Sequence, residues 1–78
     1  MKKDKSLNSA LVKKVAANIK LLRLEKSLSQ EELAELSGYH RTYIGSIERG
    51  ERNITLTTLE TIAATLNISA SKLLEENT

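Results

Sequence analysis

The segment of residues 30–53 constrains the fold of this 78-residue chain more than any other part of its sequence. Ser29 and Glu32 have the spacing of a capping box, in which a hydroxyl and a carboxylate accept from the free amides at the start of a helix. Gly38 can adopt the left-handed conformation that ends such a helix without a steric cost. The sequence therefore predicts a short helix that begins at Gln30 and a tight turn at Gly38.

A second short helix is predicted to begin near His40 or Arg41. Ile44 and Ile47 stand three residues apart in it, so they would face a core together. The opposite face of this helix is polar and carries side chains of long reach. Two short helices that meet at a glycine turn, the second displaying polar groups, form the pattern of a helix-turn-helix motif. The residues predicted to face the core from the first of the two helices are Leu33, Ala34 and Leu36.

Apolar spacing also predicts a helix before this pair. Residues 1–6 are polar and charged, so we expect a flexible arm there, followed by one domain over residues 7–78. Within the domain, a first helix is predicted over about residues 8–26. The apolar residues that recur along it at the spacing of one buried stripe are Leu11, Val15, Ile19 and Leu22.

Two further helices are predicted after a loop at residues 51–54. Thr55 is a good N-cap for a fourth helix over about residues 56–66, and Ser69 can cap a fifth helix over about residues 70–75. The fold class predicted is therefore all-α, with five helices. The residues of the fourth helix predicted to face inward are Leu56, Leu59, Ile62, Ala63 and Leu66.

Composition narrows the chemistry open to the chain. It has no cysteine and only one histidine, so disulfides and thiolate metal sites are excluded, and we expect neither a metal nor another cofactor. Because no membrane-length apolar run or signal-peptide pattern is present, a cytoplasmic protein without membrane contact is expected. The net charge is only +2, but residues 1–26 hold eight Lys or Arg and two acidic residues. Such a basic segment suits an acidic partner, and a solvated tail is the alternative.

Two segments resemble the hallmark sequences of the lambda repressor/Cro-like, or xenobiotic-response-element, family of helix-turn-helix regulators. They are residues 28–34 and 47–50, and the similarity extends over roughly residues 15–74. Within that family, residues 41–44 followed by 47–53 are most similar to the controller proteins of restriction–modification systems. The resemblance implies a five-helix lambda-repressor-like domain that binds DNA as a homodimer. Members often have Gly at the position of Ser27.

The second helix of the motif is then expected to be a recognition helix, whose N-terminal residues reach base edges in a DNA major groove. Arg41 has the planar fork that pairs with guanine O6 and N7, and Thr42 offers both a hydroxyl and a methyl group. Tyr43 can stack on a sugar or donate to a phosphate, with packing at the helix edge as the alternative. Gly45 allows either a close approach to DNA or tight packing between helices.

The family resemblance implies further DNA contacts around this helix. Gln30 would contact a phosphate from the first turn of its own helix, and Arg52 and Asn53 would contact the DNA backbone or the minor groove. Two roles remain possible for Arg49, a contact with phosphate or capping of helix carbonyls. For Arg52, the alternative to a DNA contact is a solvated charge in the loop. The complete set of predicted DNA-binding residues is Gln30, Arg41, Thr42, Tyr43, Ser46, Arg49, Arg52 and Asn53.

Glu48 is predicted to face the core, where an unpaired carboxylate would be costly. The resemblance pairs it with an arginine of the first helix, which is Arg23 here, so we expect a structural ion pair. The C-terminal segment also has more apolar residues than a small core needs, which favours a dimer interface. The candidates for that interface are Ile68, Leu73 and Leu74.

The predicted function is sequence-specific binding of double-stranded DNA by a homodimer that regulates transcription from a pseudo-palindromic operator, with half-sites about 34 Å apart. Two alternatives stay open: a phage-type or stand-alone repressor of the same family, and a protein-interaction module, such as an antitoxin or adaptor, that does not read DNA. No enzyme is predicted, because catalytic dyads and phosphate loops are missing. No small-molecule effector is expected. The acidic cluster interpreted as an exposed helix face consists of Glu31, Glu32 and Glu35.

Overall fold

The computed structural model describes residues 9–76, and within this range the chain forms four α-helices and one 3-10 helix, with no β-strand. The all-α prediction is therefore confirmed. The count of five α-helices is not, because the last segment is a 3-10 helix of five residues. The arm predicted at residues 1–6 lies outside the described residues. In chain order the elements are α1 (Ala10–Glu25), α2 (Gln30–Ser37), α3 (Arg41–Glu48), α4 (Leu56–Thr65) and the 3-10 helix (Ala70–Leu74).

The start and end of α1 are both set by serines. The Ser9 hydroxyl accepts a hydrogen bond of 3.0 Å from the Val12 amide and so caps the first turn. Ser27, just beyond the last turn, has a φ of 58°, and the next amide, that of Leu28, donates to the Arg23 carbonyl at 3.1 Å. A left-handed residue after a helix satisfies its last carbonyls, and glycine adopts this conformation at the lowest steric cost. Serine adopts the same conformation here at a cost of about 1–2 kcal/mol.

The capping box predicted for α2 is present. The Glu32 amide donates to the Ser29 hydroxyl at 2.9 Å, and the Ser29 amide donates to the Glu32 carboxylate at 2.8 Å. The helix ends at Gly38, whose φ of 84° is the left-handed conformation that the sequence predicted. The Tyr39 amide then donates back to the Ala34 carbonyl at 2.9 Å, which closes the turn and directs the chain into α3.

The core lies where the four α-helices and the 3-10 helix meet. Three leucines predicted to be buried are exposed instead: Leu11, Leu36 and Leu56. Leu11 and Leu56 occupy the first turns of α1 and α4, and Leu36 lies in the last turn of α2, on the side away from the buried Ala34. The largest fully buried side chains are those of Ile19, Leu33, Ile44, Ile62, Leu66 and Leu73.

A buried asparagine holds the C-terminal segment on α1. The Asn18 side-chain amide donates to the Leu73 carbonyl at 2.9 Å and to the Glu75 carbonyl at 2.8 Å. These bonds satisfy carbonyls at the end of the 3-10 helix, which is too short to stabilise itself. The Leu73 side chain is fully buried in the protomer's own core, so its assignment to a dimer interface is wrong. Ile68 is partly buried against the core, and Leu74 is exposed.

The predicted contact between Arg23 and Glu48 joins the end of α1 to the end of α3. Arg23 Nε donates to Glu48 Oε2 at 2.7 Å and Nη2 donates to Oε1 at 2.9 Å, with side chains only 7% and 2% exposed. Arg23 Nη1 also donates to the Leu28 carbonyl at 2.7 Å. The hydrogen bond to Glu48 raises the pKa of Arg23 above its ordinary value, although burial acts in the opposite direction. Both charges are therefore compensated inside the protein.

Glu48→Ala is expected to lower the free energy of unfolding by about 3–5 kcal/mol, because it leaves the Arg23 charge buried without its partner. The matched control is Glu51→Ala, which removes an exposed ion pair with Arg49 and should leave the free energy of unfolding almost unchanged. Urea unfolding of both variants measures the difference. Equal losses for the two variants would show that the buried pair does not stabilise the fold.

Candidate nucleic-acid interface

The first turn of α3 is fixed by the only histidine of the chain. His40 is the N-cap, and its Nδ1 accepts a hydrogen bond of 3.0 Å from the Thr42 amide. Because an amide can donate only to an unprotonated ring nitrogen, this geometry assigns the imidazole proton to Nε2. The cap orients the amides at the start of the helix, and it leaves the side chains of Arg41 and Thr42 exposed beside each other.

Arg41 lies at this exposed end with its fork accessible. Its Nη1 is 3.8 Å from a carboxylate oxygen of Glu31 on α2, and both side chains are mostly exposed. An exposed ion pair at this distance contributes little to stability, so it does not hold the guanidinium against another partner. The sequence predicted no contact for Glu31 and placed it on an exposed helix face. The spacing of residues 31 and 41 in the motif carries no signal that would have revealed one.

Gln30 crosses from α2 to the surface of α3. Its side-chain amide donates to Glu48 Oε1 at 3.0 Å, so Gln30 joins the buried Arg23–Glu48 pair. A Cβ atom on Gly45 would lie 3.2 Å from Gln30 Oε1 and 3.2 Å from Arg49 Nη1. Of the two roles open for Gly45, the structure therefore shows packing: the missing side chain makes room for long side chains that come from elsewhere.

Tyr43 lies in a cluster with another tyrosine and an arginine. Its ring centroid is 5.2 Å from that of Tyr39 in an edge-on arrangement, and the Arg52 guanidinium carbon is 5.4 Å from the Tyr43 centroid. Tyr39 OH in turn donates to Thr58 Oγ1 on α4 at 3.3 Å. Tyr43 is half-buried by these contacts, so the packing role at the helix edge is present.

Ser46 does not face solvent, which corrects its prediction as a residue that contacts DNA. It is 5% exposed, its hydroxyl donates to the Tyr43 carbonyl at 2.7 Å, and the same oxygen accepts from Arg52 Nε at 3.0 Å. The sequence shows only that a polar residue occupies this position of the helix. It does not show that an arginine six residues later folds over it.

Arg49 has its charge balanced by a neighbour in the loop. Its Nε and Nη2 donate to the two carboxylate oxygens of Glu51 at 3.0 and 3.1 Å. These hydrogen bonds raise the pKa of Arg49 and lower the pKa of Glu51, which the positive charges of Arg49 and Arg52 lower further. Gly50 turns the chain between them with a φ of 75°. Arg49 therefore brings less net charge to the surface than the sequence suggests.

The exposed members of the predicted set surround α3. Arg41 and Thr42 lie at its first turn, and Arg52 and Asn53 lie in the loop after it. This arrangement joins guanidinium, hydroxyl and amide donors, which suit phosphate oxygens and base edges. Within the described range no group of three or more acidic or histidine side chains is placed to hold a metal ion. None of the described helices is long and apolar enough to span a bilayer.

An apolar hollow of about 200 Å³ lies next to this surface. Arg52 and Asn53 take part in its lining, so it reaches the loop that follows α3. Two of its leucines, Leu11 and Leu56, are among the exposed residues that were predicted to be buried. The apolar side chains that line the hollow include those of Leu11, Val15, Ile54, Leu56, Leu59 and Leu74.

Several known proteins are similar to this chain in sequence and in fold. The helix-turn-helix family profile matches residues 19–73. The control protein C.SmaI of Serratia marcescens is 58% identical over 60 residues, which cover 77% of this chain and 71% of that protein. The crystal structure of the hypothetical transcription factor NHTF from Neisseria superposes with a TM-score of 0.83 at 37% identity, covering 97% of this chain and 86% of that one.

A second similar structure contains DNA. It is the restriction–modification controller protein C.Esp1396I, crystallised as a tetramer in complex with its natural 35-base-pair operator. It superposes with a TM-score of 0.77 at 41% sequence identity, and the superposition covers 87% of this chain and 100% of that chain. The similarity spans the motif, the flanking helices and the C-terminal segment, so it extends well beyond the two short helices.

Gly45→Ala is expected to raise the free energy of unfolding by about 0.5–1 kcal/mol, because alanine favours a helix interior over glycine. The atoms that the new methyl group would meet are the ends of the flexible side chains of Gln30 and Arg49, which can move by a few tenths of an ångström. The control is Gly38→Ala, where nothing crowds the position but the φ of 84° is left-handed, so a loss of about 1–2 kcal/mol is expected. A loss of stability for Gly45→Ala, measured by urea unfolding, would contradict this account.

Proposed function

Because the chain belongs to the helix-turn-helix family, as the match over residues 19–73 shows, we propose that it binds a specific double-stranded DNA operator as a homodimer and regulates transcription. The observation that carries the proposal is the first turn of α3. There the His40 cap fixes the helix end while the Arg41 and Thr42 side chains stay exposed beside each other. The similar protein C.Esp1396I forms a complex with an operator, which supports a DNA partner for this surface.

In the proposed complex, α3 lies in the major groove with its N-terminal end toward the base edges. Arg41 donates through its fork to guanine, and Thr42 contacts a phosphate or a thymine methyl group. Gln30, whose side-chain amide nitrogen donates one hydrogen to Glu48, keeps its second amide hydrogen and its backbone N–H at the start of α2, where phosphate is favoured. Asn53 and Arg49 supply contacts to the DNA backbone from the far end of α3.

The second copy of the chain is proposed to cover the apolar hollow. Leu56 is 79% exposed, and Leu74 and Leu11 are exposed beside it, so the hollow presents apolar surface that a partner would remove from water. Its lining reaches Arg52 and Asn53 in the loop after α3, so the proposed contact lies next to the DNA-binding surface. A symmetric dimer of this kind meets half-sites about 34 Å apart on one side of the duplex. Of the residues that the sequence assigned to a dimer interface, Leu74 lines this hollow and Ile68 does not.

The proposal extends to the type of regulator. Identity of 58% to the control protein C.SmaI supports a restriction–modification controller. The phage-type alternative has support from the 41% identity to the immunity repressor of Bacillus phage phi105, although this chain covers only 44% of that protein. The third candidate, a protein-interaction module, would not need exposed Arg41, Thr42 and Arg52 around one short helix.

The remaining parts of the proposal concern the whole chain. We propose one DNA-binding domain over residues 7–78, preceded by the arm of residues 1–6, and no catalytic activity, in line with the regulators that it resembles. Operator binding requires access to the chromosome, so the proposal includes a cytoplasmic location. Neither a cofactor nor a small-molecule effector is needed for the DNA contacts described.

Selection of bound duplexes from a random DNA library is expected to return a palindromic consensus for the wild-type chain. Arg41→Ala should lose preference at one base pair in each half-site, with a discrimination of about 1–3 kcal/mol removed there. The matched charge control is Lys20→Ala, an exposed position on α1 that should leave the consensus unchanged. No enrichment by the wild-type chain at low salt would remove the proposed function and favour a protein partner.

Leu56→Glu is expected to convert the homodimer into a monomer at micromolar concentration, because it buries a carboxylate in the apolar contact. The substitution should leave the protomer folded, since the side chain is exposed and a Glu in the first turn of α4 favours the helix dipole. Leu24→Glu is the control: this leucine is 54% exposed on α1 but does not line the hollow. The mass of each variant in analytical sedimentation distinguishes monomer from dimer. If Leu56→Glu is still a dimer, the interface lies elsewhere.

A further inference from the structure

The Ser46 hydroxyl forms one hydrogen bond within its own helix and one with a side chain from outside the helix. A hydroxyl has a single hydrogen to donate, and Ser46 donates it to the Tyr43 carbonyl at 2.7 Å, within its own helix. Its lone pairs then point away from the helix, where one of them accepts from Arg52 Nε at 3.0 Å. Ser46 is 5% exposed, so this hydrogen bond is formed where water does not compete freely.

One further contact holds the same arginine, and two more support the ring that it touches. The Arg52 guanidinium carbon lies 5.4 Å from the centroid of Tyr43, at a distance where a cation is attracted to the ring face. The Tyr43 ring is supported edge-on by Tyr39, whose hydroxyl donates to Thr58. Arg52 belongs to a loop by sequence, but these contacts attach it to α3 and, through the tyrosines, to α4.

The nearby acid does not compete for this arginine. Both carboxylate oxygens of Glu51 accept from Arg49, so the residue next to Arg52 in the chain is already paired. The hydrogen bond to Ser46 uses Nε of Arg52, and within residues 9–76 its two Nη groups have no hydrogen-bond partner. A guanidinium held through Nε and a ring face presents the Nη side for bidentate donation.

We propose that Ser46 is a positioning residue that holds Arg52 on α3, so that the two Nη groups donate together to a paired acceptor on DNA. Arg52 is then an extension of the recognition helix, and its orientation is already set before binding. The inference rests on the proposed function, since it names a further determinant of the same DNA contact. The acceptor chemistry is either the O6 and N7 edge of guanine or the oxygens of one phosphate.

The sign of the change in DNA affinity when the Ser46 hydroxyl is removed distinguishes this positioning role from an inhibitory role. If Ser46 orients Arg52 for DNA, its removal lets the arginine move among rotamers that must be ordered again on binding. Ordering one such side chain weakens affinity about two- to tenfold. If instead Ser46 holds Arg52 away from DNA, the loss of the hydroxyl strengthens binding. The two roles therefore predict opposite signs for the same substitution.

The experiment is a double-mutant cycle on the duplex that the wild-type chain selects, with affinity measured by fluorescence anisotropy at fixed salt. The variants are Ser46→Ala, Arg52→Ala and the double substitution. Ser46→Ala should weaken binding about two- to tenfold in the wild-type background and have no further effect beside Arg52→Ala. The matched control is Ser37→Ala, which removes another partly buried serine that bonds only to carbonyls of its own helix, and it should leave affinity unchanged.

Two further measurements identify the acceptor. If Arg52→Ala loses preference at one base pair of each half-site, the acceptor is guanine; if affinity falls uniformly and the salt slope becomes smaller, the acceptor is a phosphate. Arg52→Lys keeps the charge but not the Nε donor or the fork, so it should resemble Ser46→Ala with the salt slope retained. Thermal unfolding of each variant checks that the protomer stays folded.

Three results would overturn the inference while leaving DNA binding intact. They are unchanged affinity for Ser46→Ala, tighter binding for Ser46→Ala, and an equal loss for Ser46→Ala in both backgrounds of the cycle. Failure of the wild-type chain to select any duplex is a different result, because it removes the proposed function itself and this inference with it.

Discussion

The buried pair of Arg23 and Glu48 is the interaction on which the arrangement of the motif depends. It joins α1 to the end of α3, and because Glu48 also accepts from Gln30, the first residue of α2 is joined to the same carboxylate. A charge with so little exposure must keep its partner. Any rotation of α3 that separated the pair would leave an unpaired charge inside the protein. The pair therefore favours one relative placement of three helices, which apolar packing alone defines less sharply.

This placement matters because the helices of the motif are short. An eight-residue helix is not stable alone in water, so α3 depends on its cap at His40 and on the burial of Ile44 and Ile47. Those contacts hold its inner face, and the ion pair holds its C-terminal end. The first turn is then fixed at both of its ends, while the side chains of Arg41 and Thr42 stay exposed. An interface whose donors are already oriented loses less entropy when it meets DNA.

Local features of the sequence predicted the fold well, and features that depend on distant neighbours did not. The capping box of Ser29 and the left-handed Gly38 need only residues within four positions, so the sequence alone revealed them. Leu56 and Leu73 have the same apolar character, yet one is exposed and the other fully buried. The difference arises because no residue between 9 and 76 packs over Leu56 in the first turn of α4, whereas Asn18 draws the backbone at Leu73 onto α1. Spacing along one helix cannot show which of its ends will be covered.

The middle of α3 shows why the interface was harder to predict than the fold. Gly45 and Ser46 are adjacent small residues, and each lies beneath a long side chain from another segment: Gln30 from α2 over Gly45, and Arg52 from the following loop over Ser46. Part of the surface that faces outward from α3 is therefore built by residues outside it. An interpretation of α3 alone assigns Ser46 a direct contact with DNA, because it assumes that a polar residue of the helix is exposed. From this arrangement we expect base preference to depend on α3 together with Gln30 and Arg52, and we expect that exchanging α3 alone between relatives would not transfer it.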